Sequence, residues 1–520
     1  MQNDDSGERV AIPEDGHGPI PPRYWWLKRI SIGVGVLLVA LVVLRLWWGW
    51  EADRRLQAEI DRIIASGEPF YPEDYIEDIP DEQNAAVLYD EAVKLFDASV
   101  SPAAEINFVC SDFLSCPEML EDARRAVEDR RAILRILRRA RSRSEVFWKN
   151  VGMRFATVGV VDLGTQRKLS KLMHMSAFCD FHDANHEELV ATFHDMIAQA
   201  DALSCRPHLI DSLVALACKS MARHALQATV AKLVVSDAGV QPSGTQPARR
   251  RQVMELMSRL LNEEPMRSSI VRSFHGERTL AYDSVQWMAG TGTGSTGWPG
   301  VSVVELIDNL LARPLYSLDS VRLMRGFSVF ALAAQEDSWP AAAGRIASET
   351  SQATTVRAVS RPMTEPPYGS VYTSHVRSLQ LYFRTVAENR LAATAIAIRL
   401  YELDYGERPD SLEVLVPDYL PSVPADPFTD DQSSIRYTRD SGGDRLYSVG
   451  LNGRDDGGDD TREKPFRSRD YVFFLDGKPV ENEEGKYDDA SSGEAVNDNQ
   501  HGEDDRENAG NEDDREHQPK

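Results

Sequence analysis

The chain has 520 residues, 42% hydrophobic and 27% charged, with a formal net charge of −24, long enough for two or three domains with cores of their own. An acid surface of this size argues against nucleic acid as a main ligand. The charge is unevenly placed: sixteen acidic and five basic residues lie between Asp476 and Lys520, almost without large apolar neighbours, so residues 479–520 are expected to be a disordered acidic tail.

Five cysteines occur, Cys110, Cys116, Cys179, Cys205 and Cys218, and no CxxC pair, which excludes the usual zinc-ribbon and thioredoxin-type spacings. Cys110 and Cys116 are spaced either for a loop-closing disulfide in an oxidising compartment or as two free thiols. The other three read as small core residues on helices.

Residues 1–24 read as a disordered tail. The stretch RYWWLKRISIGVGVLLVALVVLRLWWGW follows, with residues Ile30 to Leu44 unbroken by charge and tryptophans at both ends. Trp26 to Trp48 covers about 33 Å of helix, matching a hydrocarbon core of ~30 Å with aromatic residues at each interface. No small-residue cleavage site follows, so residues 25–50 are expected to be an uncleaved signal anchor in the bilayer. Four basic residues precede the span (Arg9, Arg23, Lys28, Arg29) and four lie at or after it (Arg45, Arg54, Arg55, Arg62), so charge does not set its orientation.

Residues 51–80, including GEPFYPEDYIEDIP, read as a juxtamembrane linker. A helical domain over 81–235 is expected next, beginning with Ala85, Leu88, Ala92 and Leu95 at helical spacing. A single helix over Glu118–Arg143 carries nine arginines between Arg124 and Arg143 opposite a stripe of Ile133, Leu137 and Ala140, a pattern that predicts a solvated, ion-paired face. Antiparallel helices then turn at His182–Asn185 and at Arg206-Pro207, in the manner of helix-pair scaffolds.

Six histidines cluster here: His174, His182, His186, His194, His208 and His224. HEELV falls one residue short of the zinc-protease pattern because Val190 stands where the second histidine would be. Most of these histidines read as capping or packing residues.

A linker is expected over 236–252 and a second helical domain over 253–374, split near Pro314. Gly292, Gly294 and Gly297 in the loop 289–300 fit GxGxxG. A helix precedes them and Trp298-Pro299-Gly300 follows, which makes a surface loop rather than a phosphate cradle.

Residues 375–478 read as an α+β module: a long helix from His375 to Asp404 with a stripe of Ala392, Ile396, Leu400 and Leu403, a short helix capped by Asp410, and antiparallel strands over Ile435–Thr438, Arg445–Val449 and Tyr471–Leu475. The words YGERPDSLEVLVPDYLPSVPADPF, LYSVGLNGRDDGG and RDYVFFL, in that order, resemble the globular domain of the type II secretion major pseudopilin. The resemblance covers about Arg390 to Leu475 and implies an extracytoplasmic α+β head with a calcium loop. Carried over, it marks Asp455, Asp456, Asp459 and Asp470 as the acidic ligands and Ser448 as the serine of the turn. The pseudopilin leader is missing from the anchor, and about 325 residues separate anchor and module. The layout also resembles uncharacterised bacterial single-pass membrane proteins that end in this module.

The loop itself supplies what calcium needs: carboxylates, carbonyls and glycines that let the chain fold back. An EF-hand is excluded by Arg454 at the third ligand position. A simple wet Gly/Asp turn is the competing reading.

The expected fold is therefore mainly α, with a transmembrane helix, a helix-pair body and a small three-stranded pseudopilin-like module. The expected function is a non-catalytic scaffold of the bacterial envelope, possible partners being envelope or secretion proteins, with its amino end cytoplasmic and its main domain outside the inner membrane. No small-molecule substrate is identified. The alternative is an envelope enzyme whose site draws on His174, His182, His186 and His194.

Overall fold

The computed structural model describes residues 24–99, 116–149, 151–154, 162–237, 244–288, 303–356, 368–431, 433–440, 443–464 and 467–477. Apart from Tyr24, both expected tails lie outside the described residues, as do the glycine-rich loop and Cys110, hence its pairing with Cys116.

Helix α1 runs from Trp25 to Ala65, well past the apolar stretch. Among the described residues it alone is long and apolar enough to cross a membrane, with a mean hydropathy of 2.4 in its most apolar window. Its two halves differ. Residues 25–44 present their side chains outward. Beyond them Ala52, Glu59, Ile60 and Ile63 are buried, the two isoleucines against Phe70, Val321 and Met324. Glu59 is held by Arg62 at 2.5 Å and Arg325 at 2.9 Å. Residues 51–65, expected as linker, are therefore helix docked on the body.

The proline-punctuated segment after α1 is pinned as well. Arg278 is fully buried, and its guanidinium donates to Glu68 at 2.5 Å, Ser328 at 3.0 Å and the Pro69 carbonyl at 2.9 Å. Thr279 donates to the Phe70 carbonyl at 2.8 Å.

Helices α2 (Ala85–Ser99), α3 (Leu120–Asp129) and α4 (Arg131–Arg141) pack with α5 (Leu163–His182), α6 (His186–Ser204) and α7 (Leu209–Thr229). The single helix expected over Glu118–Arg143 breaks at Arg130, whose ψ of 16° leaves the helical range. Its arginines divide accordingly. Arg125 and Arg131 make local exposed pairs with Asp122 and Glu128, whereas Arg138 and Arg141 cross to the buried Asp195 of α6. Leu95 is a further departure: it is 38% exposed, outside the stripe expected of it.

Helix α6 is buried on nearly every face and forms the centre of the body. In its interior Gln199 accepts from Ser170 at 2.5 Å and donates to Gln166 at 2.9 Å. The segment expected as a linker between two helical domains also docks, with Gln246 bridging to Asn185 and Ala248 to Val235.

Helices α8 (Arg250–Leu261), α9 (Glu264–Met288), α10 (Val303–Ala333) and α11 (Trp339–Val356) follow, and α10 passes unbroken through Pro314. Gly276 on α9 permits a close crossing, because a Cβ there would fall 1.8 Å from the Pro207 carbonyl oxygen.

Helix α12 spans Tyr368–Tyr405 and ends at Gly406, whose φ is +82°. Ala392, Ile396 and Leu400 are buried, but Leu403, expected in the same stripe, is 39% exposed in the last turn. A 3-10 turn at Leu412–Leu415 follows, with Ser411 rather than Asp410 as its N-cap. Strands β1 (Arg436–Thr438), β2 (Arg445–Ser448) and β5 (Tyr471–Phe474) form an antiparallel sheet in the order β1-β2-β5, and β3 (Arg462–Lys464) and β4 (Arg467–Ser468) add a separate hairpin. The register sets Arg436 opposite Tyr447 and Ser448 opposite Tyr471.

Helix α12 serves two parts of the molecule at once. It packs on α7 and α8 of the body and on β2 and β5 of the sheet. One buried apolar cluster runs from Ala85 to Leu475, within a compact unit that extends to Lys478. The helical segments and the terminal module thus share a core.

Candidate functional site

The acidic loop leaves β2 at Ser448, turns through a 3-10 segment at Gly450–Asn452, and returns through the β3–β4 hairpin to β5. Its folding back depends on Gly453, Gly457 and Gly458, all with φ between +66° and +79°. At Gly458 a Cβ would also lie 2.5 Å from the Arg445 side chain.

Sequence reasoning missed the residue that fixes the entrance to this loop. Asp426, 1% exposed, accepts from the Ser448 hydroxyl at 2.7 Å, the Val449 amide at 2.9 Å and the Phe428 amide at 3.0 Å, and meets Arg436 at 3.3 Å. Ser448 therefore serves the turn by binding Asp426. The signal was the DPF word itself: an aspartate before proline, preceding an apolar residue that packs on the sheet.

The four aspartates occupy different environments. Asp455 is paired with Arg436 at 2.8 Å and accepts from the Gly457 amide at 3.0 Å. Asp459 accepts from the hydroxyl and amide of Thr461 and from Arg469 at 3.0 Å, and these contacts hold its carboxyl below the ordinary range. Asp456 accepts a hydrogen bond from the Asn452 side-chain amide at 2.7 Å.

Asp470 is the exception. It is fully buried, its Oδ2 accepts from the Gly458 amide at 2.7 Å, and its Oδ1 has no hydrogen-bond partner of good geometry. Burial pushes this carboxyl above its ordinary value, and the charges of Asp456 and Asp455 push the same way, against the pull of the Gly458 and Asp456 amides. Among the described residues no arginine or lysine pairs with it. A buried carboxylate in this state is costly unless it is protonated or meets a cation.

This arrangement fits a hard divalent cation in part. Two of the four aspartates are committed to arginines, and among the described residues no three histidines, cysteines or carboxylates converge as a ligand set. Asp470 and Asp456 remain as carboxylate donors. Calcium, which accepts backbone carbonyls and waters alongside carboxylates, suits such a loop better than zinc, which prefers a compact side-chain cage.

The histidines occupy separate settings. His182 packs edge-on against Phe178 at 4.6 Å, His194 bonds the Gln252 carbonyl at 3.1 Å, and His186 is buried. Burial, with help from His224, pulls His174 down to about 4. Val190, in the position of a second zinc-protease histidine, lies fully in the core.

Among known proteins, no family model matches the chain, and neither the curated proteins nor the solved structures give a significant match. The fold is mainly helical, with one candidate membrane span among the described residues and a small antiparallel sheet sharing its core.

Proposed function

We propose that the protein is a membrane-anchored, non-catalytic interaction protein of a bacterial envelope, with its pseudopilin-like module outside the inner membrane and a calcium ion bound at Asp456 and Asp470. The observation that carries the reading is the continuity of α1. The helix that would cross the bilayer continues without a break into the body, where Glu59, Ile60 and Ile63 lock it against α10. A rigid stalk of this kind holds a large body at a fixed height and angle above the lipid surface. That suits presentation to other envelope or secretion proteins better than free diffusion of a tethered enzyme. Asp470, buried and without a basic partner among the described residues, supports the calcium component, since free calcium is plentiful outside the cytoplasm.

Topology tests this reading. Glu407 is exposed in the module, so Glu407→Cys should react with a membrane-impermeant maleimide in spheroplasts, above the background of the parent chain. The protein should also resist alkaline extraction. Labelling only after the inner membrane is broken would place the module in the cytoplasm and overturn the proposal.

A further inference from the structure

A cavity of about 220 Å³ lies among α6, α7, α8, α9 and α12. Phe193, Ile197, Leu226, Leu256 and Leu260 supply an apolar wall. Against them stand three cations and one carboxylate: Lys219, Arg223, Arg259 and Asp201. Asp201 takes Lys219 at 2.7 Å and Arg259 at 2.8 Å. Arg223 reaches Asn389 at 3.3 Å and shares Glu388 with Arg384.

The charges do not balance. Four cations, Lys219, Arg223, Arg259 and Arg384, meet two carboxylates, Asp201 and Glu388. The adjacent Glu263 and Arg390 neutralise each other at 2.6 Å and contribute no counter-charge. Lys219 is 8% exposed and Arg223 6% exposed. The ammonium of Lys219 has three donors and meets one carboxylate oxygen. Burial lowers the Arg223 guanidinium from its ordinary value, against the pull of Glu388. Arg259 and Arg384 keep partial access to water, but positive charge held on the buried Lys219 and Arg223 is costly unless an anion enters.

We infer that this cavity binds a small organic carboxylate, its charged end on Lys219 and Arg223 and its aliphatic or aromatic body against Phe193, Ile197 and Leu256. The size agrees. A cavity of ~150 Å³ accepts benzene, so this one holds a body only modestly larger, below the size of most cofactors. The mix of apolar wall and a few convergent polar groups is that of a ligand pocket rather than a packing defect. Sequence could not show it, because its residues span Phe193 to Asn389 on five helices.

The test is calorimetric titration of the detergent-solubilised full chain with hexanoate, octanoate and phenylacetate, beside octanol and inorganic phosphate. At least one carboxylate should bind saturably, more tightly than octanol and than phosphate. Lys219→Met should weaken that binding by about tenfold or more, the usual scale of a lost charged hydrogen bond. Ala222→Leu, which extends a side chain from α7 into the cavity, should abolish it while the melting transition is retained. Failure of all three carboxylates to bind folded protein would overturn the inference. So would octanol binding equally well, phosphate binding as tightly as the best carboxylate, or binding unchanged in a folded Ala222→Leu variant.

Discussion

The carboxylates that join helices in the body and Asp470 of the terminal module are treated in opposite ways. In the body, Asp195 sits between Arg138 and Arg141, and Glu388 between Arg223 and Arg384. In the module, Asp426 follows that pattern with Arg436 and three donors, but Asp470, equally buried, meets backbone amides and, among the described residues, no basic partner. The body uses buried charge to tie helices together. At Asp470 the buried carboxyl must hold a proton or meet a cation.

Breaking a body pair should have the largest effect. Glu388→Ala would strand Arg223 in the core and should cost about 3–5 kcal/mol, read as a lower urea midpoint. Asp426→Ala removes the hub of the turn and should cost about 2–3 kcal/mol, with the loss equal in calcium and in chelator. Asp470→Asn should behave differently. In chelator the amide replaces an unpaired buried charge and should raise stability by about 1 kcal/mol, whereas in calcium the variant should be the less stable of the two. A variant that loses stability equally under both conditions would remove the contrast with Asp426.

Acidity sharpens the same comparison, with opposite signs. Burial would raise Glu388, but Arg384 and Arg223 outweigh it and hold it at about 2, below its ordinary 4.5. Its contribution is present above pH 4.5 and is lost as pH falls towards 2. Asp470 is raised above 3.8, so in chelator the folded state holds its proton more tightly than the unfolded chain does. Ionisation there removes stability as pH climbs above 3.8. Calcium should cancel that loss, and acidification should release the ion. Melting curves from pH 3 to 7, with calcium and with chelator, check both signs; wild type and Asp470→Asn giving identical curves in chelator would contradict the second.

Much of the architecture was legible because it rests on local pattern. The apolar run of α1, the stripe of Ala392, Ile396 and Leu400, and three strands bounded by Gly and Asp turns all follow from periodicity and turn chemistry. The break at Arg130 carries no Gly or Pro to announce it. Residues 51–65 read as linker because their docking face appears only against α10. The shared core could not be read either, since α12 touches α7, α8, β2 and β5 from a single stretch of sequence. In the site, the acidic residues were visible as a cluster, but their inequality was not. Which aspartates are neutralised depends on Arg436 and Arg469, and Arg436 lies on another strand.

Because the module shares its core with the body, the decisive experiment uses the whole chain. Calorimetric titration of calcium into detergent-solubilised protein, wild type beside Asp470→Asn, should give saturable binding that the variant loses while its circular dichroism stays unchanged. No saturable heat in the wild type, or equal binding in the two proteins, would contradict the assignment of Asp470 to a cation and leave the loop as a hydrated turn.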